Sequence, residues 1–205
     1  MIVKQKVVFA SGNPGKINEL NELLLPLGFE VESQSQYGIE SVEETAFTFV
    51  ENALLKARHA TRHTGLPAIA DDSGLEVDAL NGAPGLYSAR HAERHGAGSG
   101  DVANYKFLLQ QLSELDEVVQ RRARFRSVVV YLAHEHDPSP IIAEGSWEGH
   151  ILKQAEGEGG FGYDPVFCNH DTNTSAALLD KQTKNRLSHR GKAVAKLVQQ
   201  LRQCR

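Results

Sequence analysis

Residues 6–28 read KVVFASGNPGKINELNELLLPLG. Lys6 to Ala10 is a short apolar run, the pattern of a buried strand. Ser11-Gly-Asn-Pro-Gly-Lys16 interrupts it at once. Beyond the interruption Ile17, Leu20, Leu23, Leu24 and Leu27 recur at helical spacing, and Gly28 stops the pattern. Asn13 ahead of Pro14 predicts a helix N-cap, with proline at the first helical position. The chain therefore opens as strand, glycine turn, helix.

The same alternation continues outward. A helix is predicted over 47–64, with Phe47, Val50, Ala53, Leu54, Ala57 and Ala60 on one face and Gly65 and Pro67 ending it. Ala68-Ile-Ala is a strand delivering Asp71-Asp-Ser-Gly74, Leu75 to Leu80 another strand, and Asn81-Gly-Ala-Pro-Gly85 a turn. Residues 93–100 are polar and glycine-rich, and a helix is expected from Asp101 to Leu112. Phe125 to His134 is strongly apolar and β-branched, and Ile141 to Ala143 and Gly149 to Leu152 predict shorter strands. Glu156 to Gly162 is a glycine loop. The final helix starts near Ser188 and buries Ala193, Val194, Leu197, Val198 and Leu201. No repeat interrupts this order, and the mixture of strands and helices throughout indicates an α/β or α+β fold.

The composition is that of a globular chain of 205 residues, 40% hydrophobic. No apolar run is long enough for a membrane span, and the amino terminus lacks a signal-peptide pattern. Cys168 and Cys204 alone do not make a disulfide scaffold, which points to a reducing cytoplasm. A net charge of −4 disfavours a general nucleic-acid binder but not a small anionic ligand.

Several short motifs carry candidate chemistry, each open to a plainer structural reading. The turn at Ser11–Lys16 suits an anion, because helix-start N–H groups and Lys16 face the same place. It is equally an ordinary strand–helix turn with an exposed lysine, and it is no Walker A loop. Glu43-Glu44 and Asp71-Asp72 could hold a hard cation, since magnesium takes one or two carboxylates and leaves other positions to water and phosphate. The Glu pair is otherwise charge near a helix start. Asn52 and Lys56 share a helix face, where the lysine could reach a phosphate or remain solvated. In Phe161-Gly162-Tyr163-Asp164 two aromatics could stack on a nucleobase, with the carboxylate accepting a ring N–H, or the aromatics could fill the core. His189 and Arg190 follow the N-cap candidate Ser188. Cations in a first helical turn oppose the helix dipole, which suggests donors aimed at a ligand. The nine histidines form no metal pattern; His91 to His95 and His134-Glu-His136 are expected on the surface. Ser88 and Ser146 have no evident base, so no nucleophilic triad is expected.

Taken in order, Ser-Gly-Asn-Pro-Gly-Lys, Glu-Glu-Thr with Glu-Asn-Ala, Ala-Asp-Asp-Ser-Gly-Leu, Gly-Ala-Pro-Gly-Leu-Tyr-Ser-Ala-Arg, Gly-Gly-Phe-Gly-Tyr-Asp-Pro and Ser-His-Arg-Gly are far more specific than any one alone. This series, from about Lys6 to Leu201, closely resembles the inosine/xanthosine triphosphate pyrophosphatase family, also called Ham1-like or RdgB-like. The resemblance implies an elongated α/β fold over 1–205: a single domain with a twisted mixed central sheet, two lobes and a cleft between them. It also implies a homodimer, a Mg2+ requirement, and hydrolysis of ITP, dITP and XTP to the monophosphate and pyrophosphate.

Carried over by motif, Ser11, Gly12, Asn13, Pro14, Gly15, Lys16 and Lys56 would hold the triphosphate. Glu43 and Asp72 would hold the metal, with Asp72 also the base, and Ser73 would contact substrate. Phe161, Gly162, Tyr163, Asp164, Lys184, His189 and Arg190 would complete the pocket around the base. The segment Ala176-Ala-Leu-Leu-Asp-Lys-Gln-Thr-Lys184 departs from the family's pattern of acids before the lysine, and residues 92–100 are an unusual version of a variable segment. The alternatives are a Maf-like pyrophosphatase acting on pyrimidine or modified nucleotides, a non-catalytic nucleotide-binding protein, and an RNA-binding module. The Ser-His-Arg and Phe-Gly-Tyr-Asp segments favour the purine family over the first. The retained acids disfavour the second, and the acidic balance the third.

Overall fold

The structure is a computed structural model, and it describes residues 4–11 and 14–203. In chain order the elements are β1 (Gln5–Phe9), α1 (Pro14–Leu24), β2 (Phe29–Ser33), α2 (Phe49–Thr64), β3 (Ala68–Val77), α3 (His91–Arg94), α4 (Asp101–Gln111), β4 (Arg122–Leu132), β5 (Ile141–Ile151), β6 (Phe167–Asn169), β7 (Thr174–Ser175), α5 (Lys181–Leu187) and α6 (His189–Gln203). All seven strands join one sheet in the order β2-β1-β3-β4-β5-β6-β7. β1 runs parallel to β2 and β3, whereas β6 is antiparallel to β5 and β7. This is the mixed central sheet of an α/β fold, as the family resemblance implies.

The chain divides into two compact units. The first comprises the described residues of Met1–Asp72, Ser127–Glu144 and Ala193–Arg205; the second comprises Ser73–Arg126 and Gly145–Lys192.

The first unit shows the period-2 logic of a strand buried on both faces. Val7 and Phe9 on β1, Ile69 on β3 and Val129 on β4 join one apolar cluster with Leu20 and Leu24 of α1 and Ala193, Val194, Leu197, Val198 and Leu201 of α6. Their neighbours Val8, Ala10, Ala68, Ala70, Val128 and Val130 point the other way, onto Ala53, Ala57 and Ala60 of α2. Small residues on α2 let that helix approach the sheet closely. Its ends are well defined: the Thr48 side chain accepts the Glu51 N–H, and Gly65 closes it at φ 67°.

In the second unit Trp147, Phe167, Leu75, Leu108, Leu112 and Ile151 are fully buried in one cluster with Tyr163 and Val166. Arg121 is buried there, its hydrogen bonds going to backbone carbonyls. Its guanidinium donates to the carbonyls of Leu112, Leu115, Ile151 and Leu152 at 2.6–3.1 Å. Burial nonetheless pulls its pKa down.

Several expectations need correction. Asp71 to Gly74 form no turn, because β3 runs unbroken from Ala68 to Val77. Gly74 permits this: a Cβ there would overlap the Gly85 carbonyl oxygen, so only glycine lets the strand pass that turn. β5 is likewise one strand rather than two. Phe47 lies ahead of α2 and is 89% exposed, since the cap at Thr48 opens the helix at Phe49. Leu23 faces outward on α1. His91 is buried, not on the surface, with Nε2 2.7 Å from Gln111 Oε1 and its ring against Phe107. Burial lowers its pKa, so it favours the neutral form. β2 and α5 lie where the sequence pattern predicts no element; α5 is capped by Asp180, whose carboxylate accepts the Thr183 N–H at 2.9 Å.

Candidate active site

In the first unit, β1 ends at Phe9 and the Ser11 carbonyl accepts the Ser33 hydroxyl at 3.0 Å. Gly12 and Asn13, and with Asn13 the predicted cap, lie outside the described residues. Pro14 does open α1, and Lys16 leaves its first turn.

Asp71 and Asp72 are successive residues of β3, so their carboxylates point to opposite faces of the sheet. Asp71 has the parity of Ile69 and meets α1: Lys16 Nζ lies 2.8 Å from Oδ2 and 3.1 Å from Oδ1. Asp72 has the parity of Ala70 and meets α2: Lys56 Nζ lies 3.0 Å from Asp72 Oδ1 and 2.7 Å from Glu44 Oε1. Two ammoniums thus face three carboxylates. All five side chains are at least half-buried, with Asp71 at 5% and Asp72 at 11% exposure.

Burial lifts the Asp72 carboxyl above the usual carboxylate range; Lys56 opposes this, but its charge is shared with Glu44, whose own charge adds to the lift. Burial pulls the Lys56 ammonium down, and Asp72 with Glu44 more than reverse it, leaving the pKa raised. Asn52 hydrogen-bonds Asp72 and accepts the Ala46 N–H at 3.0 Å, tying the acid-bearing loop to α2. Glu43, the predicted metal ligand, is exposed, whereas its neighbour Glu44 reaches Lys56. Among the described residues no group of three or more acids, histidines or cysteines forms a metal cluster.

In the second unit the motif residues separate by depth. Phe161 is 61% exposed, while Tyr163 and Asp164 are each 3% exposed. Tyr163 packs in the core and donates its hydroxyl to the Ser88 carbonyl at 2.8 Å, so only Phe161 offers an open ring face. Asp164 accepts the Phe161 N–H at 2.7 Å and pairs with Lys184. Gly160 is obligatory there, since a Cβ would overlap Asp164 Oδ2. Lys184 Nζ stands 4.6 Å, and Arg190 Cζ 5.8 Å, from the Phe161 ring centroid. Two cations beside one aromatic ring define a place for an electron-rich, acceptor-bearing group.

Ser188 caps α6 as the sequence predicts, its hydroxyl accepting the Gly191 N–H at 3.1 Å. The His189 ring stacks on Phe125 at 4.8 Å with an interplanar angle of 12°. Gly191 is required by packing, because a Cβ would overlap the Asn185 carbonyl oxygen. Ser73 is half-buried on β3. Ser88 has a structural role: its hydroxyl accepts the Leu75 N–H at 2.8 Å and donates to the Gly85 carbonyl at 2.6 Å.

The model of the Ham1 family matches residues 7–200. A dITP/XTP pyrophosphatase of Thioalkalivibrio sulfidiphilus is 55% identical over 196 residues, covering 96% of this chain and 98% of its own. One of Pectobacterium atrosepticum is 52% identical over 198 residues, covering 97% and 98%. Among solved structures, a HAM1 protein from Coxiella burnetii superposes with a TM-score of 0.91 at 43% identity, over 97% of this chain and 99% of that one. The Staphylococcus aureus Ham1 protein gives 0.87 at 37% identity, over 98% and 100%. The sheet, the ordered motifs and these near full-length matches agree: the chain belongs to the Ham1 family.

Proposed function

We propose that this protein hydrolyses deaminated purine nucleoside triphosphates, dITP, ITP and XTP, to the monophosphate and pyrophosphate. The observation that carries the reading is the pair of buried aspartates on β3, each facing a lysine from a different helix. The relatives named dITP/XTP pyrophosphatase support the choice of substrate.

The carboxylates fit a hard cation. Glu44 and Asp72 already hold one positive charge between them, and magnesium needs only one or two carboxylates when phosphate and water supply the remaining oxygens. Asp72, with an acid of the Glu43–Glu44 pair, would hold Mg2+, which would supply charge neutralisation at the phosphates. Asp72, its carboxyl raised by burial, takes the proton of a water whose oxygen attacks the α-phosphorus. The α–β phosphoanhydride bond breaks, and pyrophosphate departs with the bonding electrons. Lys16 and Lys56 exchange carboxylate partners for phosphate oxygens and offset the charge that develops there.

Base recognition falls to the second cluster. Phe161 supplies a stacking face, and Lys184, His189 and Arg190 supply donors for a 6-oxo group, which hypoxanthine and xanthine have and adenine lacks. We extend the proposal to a homodimer in the cytoplasm, on the family resemblance and the cysteine-poor composition. Among the described residues no helix is long and apolar enough to cross a membrane. The test is pyrophosphate release from a panel of purine and pyrimidine triphosphates, with and without Mg2+. Activity confined to pyrimidine nucleotides, or none with any triphosphate, would overturn the reading.

A further inference from the structure

We infer that Asp101 is a positioning residue for the aromatic loop, and that the glycine-rich segment 93–100 sets where its carboxylate stands. The inference rests on the reading of Phe161 as the stacking face for the base.

Three successive residues of that loop are each tied down. The Phe161 N–H donates to Asp164 Oδ2, the Gly162 N–H donates to Asp101 Oδ2 at 2.7 Å, and the Tyr163 hydroxyl donates to the Ser88 carbonyl. Asp164 and Tyr163 belong to the loop's own motif and are buried. Asp101 comes from 61 residues away, at the first position of α4. It is the one of the three clamps that lies at the surface.

Its support is rigid. One turn along α4, Asn104 is buried; its Oδ1 accepts the Ala92 N–H at 2.9 Å and its Nδ2 donates to the Ala89 carbonyl at 3.0 Å. Leu108, a turn further, is fully buried. The approach to Asp101 is made by Gly96, Gly98 and Gly100, at φ 67°, 103° and 84°. L-residues rarely adopt these angles, so the path of the segment belongs to its glycines. At Gly98 a Cβ would also crowd the Ala103 Cβ at 3.2 Å. Arg94, at the near end, lies with Cζ 3.6 Å from the Tyr87 ring centroid. Gly162 itself sits at φ 62°, so the amide that Asp101 accepts belongs to a residue that cannot readily be replaced to rebuild the loop another way. The carboxylate gains from the N-terminal end of α4, and it fixes the backbone immediately after the Phe161 ring. Segment 93–100 is thereby a strut whose length and glycines place the stacking surface.

The test uses the full chain with Asp101→Ala and Asp101→Asn, the amide of which keeps an oxygen that can accept the Gly162 N–H. Backbone hydrogen exchange is followed over residues 157–166 without ligand, alongside kcat and KM for dITP. Asp101→Ala is expected to speed exchange there and raise KM about tenfold, with kcat within about twofold, as loss of a charge-assisted hydrogen bond used only to place a binding surface should do. Asp101→Asn should stay near wild type in both. The melting temperature of either variant should move by no more than about 2 °C, since the residue is at the surface. Unchanged exchange in Asp101→Ala, or faster exchange with an unchanged KM, overturns the inference. So does a fall in kcat at constant KM. If wild type releases no pyrophosphate from dITP, the substrate reading fails by itself, and the exchange measurement still decides whether Asp101 clamps the loop.

Discussion

Replacing Lys56 by methionine keeps the length of the side chain and removes the charge that Asp72 and Glu44 share. Two unit charges 3.0 Å apart attract by about 5 kcal/mol at an effective dielectric near 20, a gross figure that desolvation offsets. Removing one partner of a buried pair costs roughly 3–5 kcal/mol, because the other is left buried and uncompensated. Glu44 is a third exposed and Asp72 can take up a proton, so the expected loss is lower, about 2–3 kcal/mol near pH 8.

The loss depends on pH with a definite sign. Asp72 has a folded pKa above its unfolded value, so across that window the native state holds a proton the unfolded chain releases. Stability from this source is present at low pH and falls as pH rises through the window. Without Lys56 the folded pKa climbs further, the window widens, and the variant's deficit grows toward alkaline pH. Urea unfolding of wild type and Lys56→Met at about pH 5 and about pH 8 should show a deficit markedly smaller at the lower pH. In thermal melts near pH 8, a loss of that size corresponds to roughly 5–10 °C for a chain this long. A deficit below about 0.5 kcal/mol, or one of equal size at both pH values, would refute the reasoning.

Asp72→Asn should nearly abolish turnover in a protein that melts no lower than wild type, since the amide keeps the shape and loses both charge and basicity; retained turnover in steady-state assays would remove Asp72 from the mechanism. Lys16→Ala should raise KM for ITP and slow pyrophosphate release while removing the ammonium that pairs with Asp71; unchanged kinetic constants would return Lys16 to a purely structural pairing. Wild-type kcat/KM for ITP and XTP should far exceed that for ATP, whose 6-amino group faces donors with an N–H, a mismatch that can discriminate by up to about 10⁴-fold, and that for GTP, which shares the 6-oxo group and is excluded by its 2-amino group. Arg190→Ala should narrow that gap mainly by slowing the favoured substrates, and an unchanged ratio would exonerate Arg190. Gly191→Ala forces a methyl group onto the Asn185 carbonyl, so it should cost at least about 1–3 kcal/mol and be visible as a lowered melting temperature; a wild-type melt would show that α5 and α6 can part without strain.

Much of this protein was legible from local pattern. The strand–turn–helix opening and the buried face of α6 follow from periodicity, and the caps at Ser188 and Gly65 from residue chemistry, because each depends on neighbours a few residues away. The motif series was specific enough to name the family. Other features escaped for one physical reason. β3 appears broken because Asp-Asp-Ser-Gly has turn composition, yet the Ser88 hydroxyl, 13 residues on, accepts the Leu75 N–H and the strand continues. His91 appears exposed until Gln111, 20 residues later, supplies a buried partner. Tyr163 and Phe161 look equivalent in the motif, and packing alone sends one into the core and leaves the other open.

The sequence by itself determined which chemistry was available: two adjacent aspartates on a strand, lysines at helix starts and faces, an aromatic loop, and donors at the head of α6. Only the tertiary structure decided how those charges are shared. Alternation along β3 sends Asp71 and Asp72 to opposite faces, but which helix packs on each face chooses Lys16 for one and Lys56 for the other. The same holds for Asp101, whose partner amide lies 61 residues away. Local propensity acts over one or two turns of chain, whereas ion pairs and backbone clamps form wherever packing brings charges within about 3 Å of each other, at any sequence separation.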